Sequence, residues 1–333
     1  MNTMDTTNLL KQYITCHDLL RRGFPWEYTL ARQFGALLLA DMPYPPTVEG
    51  IKEMRILMRR ETSVFSGFRG ISELMMAMLL YREPNGPDLF SRTLSAHRMM
   101  RDAGFRGSTY LPMAAMTLAK NTQEYRFPEM IARAEQFYRG MKAAHFWLTS
   151  QDDYVFAVLL ACSGRPVDTT VANMEFLYRQ LAAAGLPTGN GLQSLTHILG
   201  LGEEPVEVLL ARTIRLYRYL AGCRYRMTEY RMPFLGVLAL ASDTPEALAD
   251  QAIAMAEELR QVRGFGNFSC DRKTRLMLAG SLLMTHQLAG FRAEVGRTAL
   301  ANSIQAILLA QQAAMIGAVV AASSASAAAS SGA

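Results

Sequence analysis

The chain has 333 residues, of which 50% are hydrophobic and 19% are charged, and its formal net charge is +5. A chain of this length and hydrophobicity can bury a large core, so the composition excludes an intrinsically disordered or collagen-like protein. The positive charge is too small to predict a protein that coats nucleic acid.

The cysteine pattern predicts neither a metal ribbon nor a disulfide scaffold. The four cysteines are too far apart for a CxxC pair and too few for a disulfide framework. The first eleven residues also lack the basic region and apolar run that mark a secretory signal. We therefore expect a cytoplasmic protein.

The strongest pattern in the sequence is a repeat of about forty residues. Seven amphipathic, mostly arginine-rich stretches end at intervals of 37 to 42 residues, and five of them end at a glycine. A glycine in the left-handed conformation commonly closes a helix. The seven predicted ends are Gly23, Thr62, Gly104, Ala144, Gly185, Gly222 and Gly264.

Each repeat contains two apolar patterns of different kinds. The first is a helical stripe, as in Leu248, Ala252, Met255 and Leu259. The second is apolar throughout, as in Leu74–Leu80, Val155–Cys162 and Phe234–Ala241. A buried parallel strand would also be apolar, but these runs contain Ala, Leu and Met rather than Val and Ile, which favours a helix.

The predicted fold is all-α, with about seven tandem helical hairpins arranged as an α/α toroid or an α-solenoid. We expect residues 1–322 to form one domain and residues 323–333 to be a disordered Ala/Ser-rich tail. Residues 304–322 are as long as a membrane span, but three glutamines interrupt them. We expect them to form a C-terminal helix that packs on the protein.

Polar and aromatic residues recur between the first and second helix of each repeat. If the repeats curve or close, these segments gather at one end and can line a binding site. Helix capping by the same carboxylates is the alternative interpretation. The candidate binding residues are Glu27, Tyr110, Trp147, Asp152, Asp153, Glu229, Arg231 and Asp271.

No specific catalytic motif is found, and no catalytic residue is assigned. The sequence contains no GxSxG, HExxH or Walker motif, and no two of its five histidines lie three to five residues apart. We therefore predict no cofactor and no metal.

The leading hypothesis is a non-enzymatic binding or scaffold protein for a protein or small-molecule ligand, with nucleic acid and membrane not expected as partners. The alternative is an enzyme with a carboxylate-lined pocket that acts on a glycan or isoprenoid-like substrate.

Two segments resemble a known bacterial family. The stretch from Gly104 to Ala115, GFRGSTYLPMAA, is similar to a segment of a family of uncharacterised all-helical proteins, a domain of unknown function, and so is the Gln311–Ala314 segment with the Ala/Ser tail. The likeness extends over roughly residues 9–322 and implies a helical fold. The family has no assigned activity, so the resemblance implies no role for any residue.

Overall fold

In a computed structural model, the chain is described over residues 3–294 and at residue 317. This part of the chain contains α-helices and short 3₁₀ turns and no strand, which confirms the all-α prediction. Apart from residue 317, which is helical, the predicted C-terminal helix and tail lie outside the described residues. The fourteen helices of residues 3–294 are α1 Thr3–Gly23, α2 Thr29–Leu39, α3 Val48–Glu61, α4 Ile71–Tyr81, α5 Gly86–Asp102, α6 Leu111–Asn121, α7 Phe127–Ala144, α8 Tyr154–Cys162, α9 Val167–Ala183, α10 Asn190–Leu199, α11 Val206–Gly222, α12 Pro233–Ala241, α13 Pro245–Arg260 and α14 Arg272–Glu294.

The helices come in pairs whose members differ in burial. Helices α1, α3, α5, α7, α9 and α11 are amphipathic and longer than the more apolar helix that follows each of them, whereas the amphipathic α13, with 16 residues, precedes α14, with 23 residues. In α8, every residue from Tyr154 to Ala161 is buried, whereas α13 buries one face that contains Leu248, Ala252, Met255 and Leu259. The two apolar patterns of the sequence therefore correspond to two kinds of helix.

The predicted ends lie at the ends of the odd-numbered helices or up to four residues after them, and the backbone hydrogen bonds at the end of α5 show how one such end is formed. Gly104 has a φ of 97°, and the amide of Phe105 donates to the carbonyl of Met100 at 3.0 Å. This bond, with a left-handed residue before it, is a Schellman cap, and the buried ring of Phe105 packs after it. At the end of α11 the left-handed residue is Arg224, with a φ of 66°, rather than Gly222.

The described chain divides between Ile131 and Ala132 into two compact units. In the N-terminal unit α1 packs on α2, α3 on α4 and α5 on α6, and the apolar helices α2 and α4 also touch. In the C-terminal unit the pairs are α9 with α10, α11 with α12 and α13 with α14, and α10 packs on both α8 and α12. A ring or an open solenoid, and one domain, stay predictions.

The length and hydropathy of the described helices can be compared with those of a membrane-spanning helix. Within residues 3–294, no helix combines the length and the hydropathy that crossing a bilayer requires.

Candidate functional site at the connectors

We call the segment between the two helices of each successive pair, from α1 and α2 to α13 and α14, a connector. In the N-terminal unit, two connector side chains are almost fully exposed: Trp26 at 97% and Phe65 at 96%. In the C-terminal unit Trp147 is 92% exposed and Phe268 is fully exposed. The sequence predicted Trp147 as a binding residue, but it gave no signal for the two phenylalanines.

These exposed rings are not a general property of the connectors. Other aromatic side chains of the same segments are buried, including Phe24, Phe68 and Phe265. Phe68 packs edge-on against Phe90 with ring centroids 5.7 Å apart. The connectors that carry Trp26, Phe65 and Phe268 therefore bury one aromatic side chain and expose another.

In the N-terminal unit, a buried carboxylate accepts hydrogen bonds from arginines of α3, and ion pairs link it to two connectors. Glu73, in the first turn of α4, accepts hydrogen bonds from Arg59 at 2.7 and 2.9 Å and from Arg55 at 2.7 Å. Burial alone would raise the pKa of Glu73, but the two guanidinium groups hold it below its usual value. Arg55 also pairs with Glu27 at 2.7 Å, so this predicted site residue belongs to the same cluster.

Arg69 fixes the connector that carries Phe65. Its guanidinium donates to the carbonyls of Arg59 at 2.6 Å and Thr62 at 2.8 Å, which lie at the end of α3. It also lies 3.5 Å from Glu73. Tyr110, the other predicted site residue of this unit, is half-buried at the N-terminus of α6.

In the C-terminal unit, the connector between α7 and α8 ends in a capping box. The Ser150 amide donates to Asp153 Oδ2 at 3.0 Å, and the Ser150 hydroxyl donates to Asp152 Oδ1 at 2.5 Å. Asp153 is buried and Asp152 is half-buried. Desolvation, and then the neighbouring charge of Asp153, raise the pKa of Asp152.

The same connector meets two polar side chains of α10. Asp153 Oδ1 lies 3.3 Å from Nδ1 of the buried His197, and the Gln193 amide donates to Thr149 Oγ1 at 2.7 Å. His197 Nδ1 makes no hydrogen bond of good geometry. The sequence predicted none of Thr149, Gln193 and His197 as a site residue, because the contact between Gln193 and Thr149 joins residues 44 positions apart in the chain.

The exposed Trp147 stands beside other aromatic groups and a cation. The Phe146 and Trp147 rings pack edge-on at 5.2 Å, and Lys142 Nζ lies 5.0 Å from the centre of the Phe146 ring. The Lys142 ammonium also lies 6.0 Å from the Tyr138 ring. Burial raises the pKa of Tyr138 to about 12.

Two of the remaining predicted residues contact each other in the C-terminal unit. The Arg231 guanidinium donates to Asp271 Oδ2 at 2.7 Å, and Asp271 also caps α14 through the amide of Thr274 at 3.2 Å. Burial alone would raise the pKa of Asp271, but hydrogen bonds from Thr274 and Arg231 hold it below its usual value. Asp271 is therefore paired with an arginine, and both Asp153 and Asp271 accept hydrogen bonds from backbone amides at the start of a helix.

Glu229 is exposed and lies in a strained turn. Its φ is 52°, and a Cβ on Gly191 would lie 2.2 Å from the Glu229 carbonyl oxygen. Gly191 thus permits the start of α10 to approach this turn closely.

The chemistry that these residues can perform follows from their charge state. Among residues 3–294, no group of three or more His, Cys, Asp or Glu side chains is arranged to hold a metal ion. Asp152 can hold a proton at a higher pH than an ordinary aspartate. The exposed rings offer apolar surface to another molecule.

Comparisons with known proteins agree with the resemblance in the sequence. A family model described as a protein of unknown function (DUF4003) matches residues 16–313. The chain is 25% identical over 329 residues to the uncharacterised protein YeaA of Bacillus subtilis (strain 168), with 96% of each protein covered. No solved structure matches the chain significantly. Since the family model covers most of the sequence, the chain belongs to the DUF4003 family of proteins of unknown function.

Proposed function

We propose that this protein is a non-enzymatic helical-repeat protein that binds another protein or a small ligand through its connectors. One observation carries the proposal: Trp26, Phe65, Trp147 and Phe268 all lie in connectors, and each is more than nine-tenths exposed. Burying an aromatic side chain of this size contributes roughly 1.5–3 kcal/mol. Full exposure at four comparable places therefore leaves apolar area that a partner can cover.

The residue types support binding. Tryptophan, phenylalanine and arginine are enriched at protein interfaces, and truncation of a few such anchors removes most of the binding energy. Arginines accompany the rings in the N-terminal unit, where Arg59 and Arg60 have side chains that are 54% and 71% exposed.

The connector carboxylates support the same proposal, because most of them have structural partners. Glu27 pairs with Arg55, and Asp271 pairs with Arg231. Asp153 accepts the Ser150 amide within a capping box. A carboxylate that is already paired or capping is poorly suited to acid–base catalysis.

A cytoplasmic location is part of the proposal. Cys16, Cys162, Cys223 and Cys270, all within the described part of the chain, form no disulfide. Cysteines without disulfides are typical of a reducing compartment.

The test compares two variants of the full chain. In the connector variant the four exposed aromatic residues are replaced by Ser; in the control, Tyr125, which is exposed in a segment between two helix pairs, is replaced by Ser. A partner is first identified by cross-linking and then purified. We expect its calorimetric affinity to fall at least about a hundredfold for the connector variant and to stay unchanged for Tyr125→Ser. Equal affinity for wild type and the connector variant would overturn the proposal.

A second candidate function rests on Asp152. Its pKa is raised, and beside it lies the buried Asp153 with the imidazole of His197. A carboxyl group that keeps its proton is what a general acid for glycan hydrolysis needs. Asp152→Asn would abolish glycan hydrolysis and leave partner binding intact, whereas glycan cleavage that survives Asp152→Asn would exclude this role.

A further inference from the structure

We propose that the N-terminal unit binds an apolar protein segment that carries carboxylates, at a surface formed by Trp26, Ile56, Arg59, Arg60 and Phe65. We call this the arginine–aromatic surface. The inference rests on the proposed function, because it names the chemistry of the partner for one of the two units.

The surface begins on the exposed side of α3. Ile56, Arg59 and Arg60 lie three and four residues apart, so they share one face of the helix. Ile56 is exposed, and the exposure continues past the end of the helix into Val64 and Phe65. Three exposed apolar side chains and two guanidinium groups therefore occur together on the last turns of α3 and in the residues that follow it.

The connector that carries Phe65 is held in place on both sides. Before Phe65, the Thr62 hydroxyl donates to the Met58 carbonyl at 2.6 Å, and Arg69 donates to the Thr62 carbonyl. After it, Phe68 is buried in the core. Phe65 is therefore presented by a fixed backbone, which lowers the entropic cost of binding.

Trp26 is tied to the same framework through its neighbour. Glu27 pairs with Arg55, and Arg55 and Arg59 share the carboxylate of Glu73. One continuous set of ion pairs thus connects the Trp26 connector to the end of α3.

The charges of the surface favour an anionic partner. The ion-pair set contains three guanidinium groups, from Arg55, Arg59 and Arg69, and two carboxylates, from Glu27 and Glu73, so one positive charge is in excess. Arg59 uses Nε and Nη2 to bind Glu73, and its Nη1 makes no hydrogen bond within the described part of the chain. This nitrogen can donate to a carboxylate of the partner.

An acidic protein segment fits better than a nucleic acid. Binding along a phosphate backbone uses many cations, whereas here Glu27 and the exposed Glu61 stand among the arginines. A partner with a few carboxylates beside apolar side chains matches both the rings and the single excess charge.

The experiment uses tryptophan fluorescence of the full chain. The protein has two tryptophans, so Trp147→Phe leaves Trp26 as the reporter. The probes are a synthetic peptide of Leu, Phe and Glu, the same peptide with Gln for Glu, the same peptide with Lys for Glu, and an oligouridylate. We expect saturable binding of the Glu peptide, with a blue shift of Trp26 emission, and at least about tenfold weaker binding of the Gln peptide.

Variants assign the binding to this surface. Arg60→Gln removes a charge that pairs at the surface with the exposed Glu61, so the fold is preserved, and binding of the Glu peptide should weaken several-fold. Arg98→Gln removes an exposed arginine of α5 and serves as the matched control, with no expected change. Phe65→Ser should weaken binding of the Glu peptide more than Arg60→Gln does.

The outcomes separate this inference from the proposed function. If the Glu, Gln and Lys peptides bind equally and Phe65→Ser abolishes their binding, the inference of an acidic partner would be overturned. Binding through the aromatic side chains, which is the proposed function, would still be supported. Tighter binding of oligouridylate than of the Glu peptide would also overturn the inference. Absence of binding by every probe would overturn it too, whereas the proposed function is overturned by a different result, normal binding of the purified partner by the connector variant.

Discussion

Removal of the Glu73 charge is the sharpest test of how the N-terminal unit is held together. Glu73→Gln keeps the size of the side chain but removes the negative charge that accepts three guanidinium hydrogen bonds of 2.7 to 2.9 Å. Breaking a buried ion pair by neutralising one partner costs about 3–5 kcal/mol. The arginines are 17% and 54% exposed, so water compensates part of this loss. We expect about 3 kcal/mol of destabilisation.

Hydrogen exchange of the α3 and α4 amides measures this loss directly. A loss of about 3 kcal/mol corresponds to roughly a hundredfold faster exchange of the amides that open with the unit. Glu61→Gln is the control, because Glu61 pairs with Arg60 at the surface and such pairs contribute about 0–1 kcal/mol. Similar exchange rates in the Glu73 and Glu61 variants would refute this account of the cluster.

The same cluster has a defined pH dependence. The pKa of Glu73 is lower in the folded protein than its usual value. Its ionised form therefore stabilises the fold above the unfolded pKa, and this contribution is lost as the pH falls through the lower, folded pKa. The exchange difference between wild type and Glu73→Gln should shrink at acid pH; a difference that grows there would contradict the assigned sign.

Three further predictions concern the C-terminal unit. Gly191→Ala should destabilise it by about 1–3 kcal/mol in urea denaturation, because the new Cβ would meet the Glu229 carbonyl oxygen, whereas Gly266→Ala, with nothing within 4 Å, should cost less. Leu160→Ala should cost about 2–5 kcal/mol, since Leu160 is fully buried in α8, and a loss under 1 kcal/mol would argue against that packing. Because the pKa of Asp152 is raised in the folded protein, its protonated form favours folding and its ionisation at higher pH opposes it. Asp152→Asn should therefore be more stable than wild type at neutral pH by thermal melting, with the gain vanishing at low pH; a destabilised variant at neutral pH would contradict this sign.

The helices were largely predictable from the sequence because their signals are local. Periodicity and composition identify the two kinds of helix, and the glycine at Gly104 marks a helix end through its own backbone conformation. At Gly222 the predicted helix end is correct, since α11 ends there, but Arg224 rather than Gly222 takes the left-handed conformation. A non-glycine residue in that region leaves no mark in a sequence.

The site was less predictable because its contacts are long-range. Glu73 is one acidic residue at the start of an apolar helix, and its arginine partners Arg55 and Arg59 lie in the previous helix. Phe65 and Phe68 belong to the same connector, but one is exposed and the other is buried. Only the tertiary fold distinguishes them.

The central claim, that the exposed connector aromatics bind a partner, is tested most directly by fluorine NMR. The full chain labelled with fluorotryptophan gives two signals, from Trp26 and Trp147, which Trp26→Phe and Trp147→Phe assign. On titration with the purified partner, the account predicts a saturable shift of at least one signal, with the same dissociation constant as calorimetry. Two signals that stay unshifted while calorimetry reports saturated binding would contradict it.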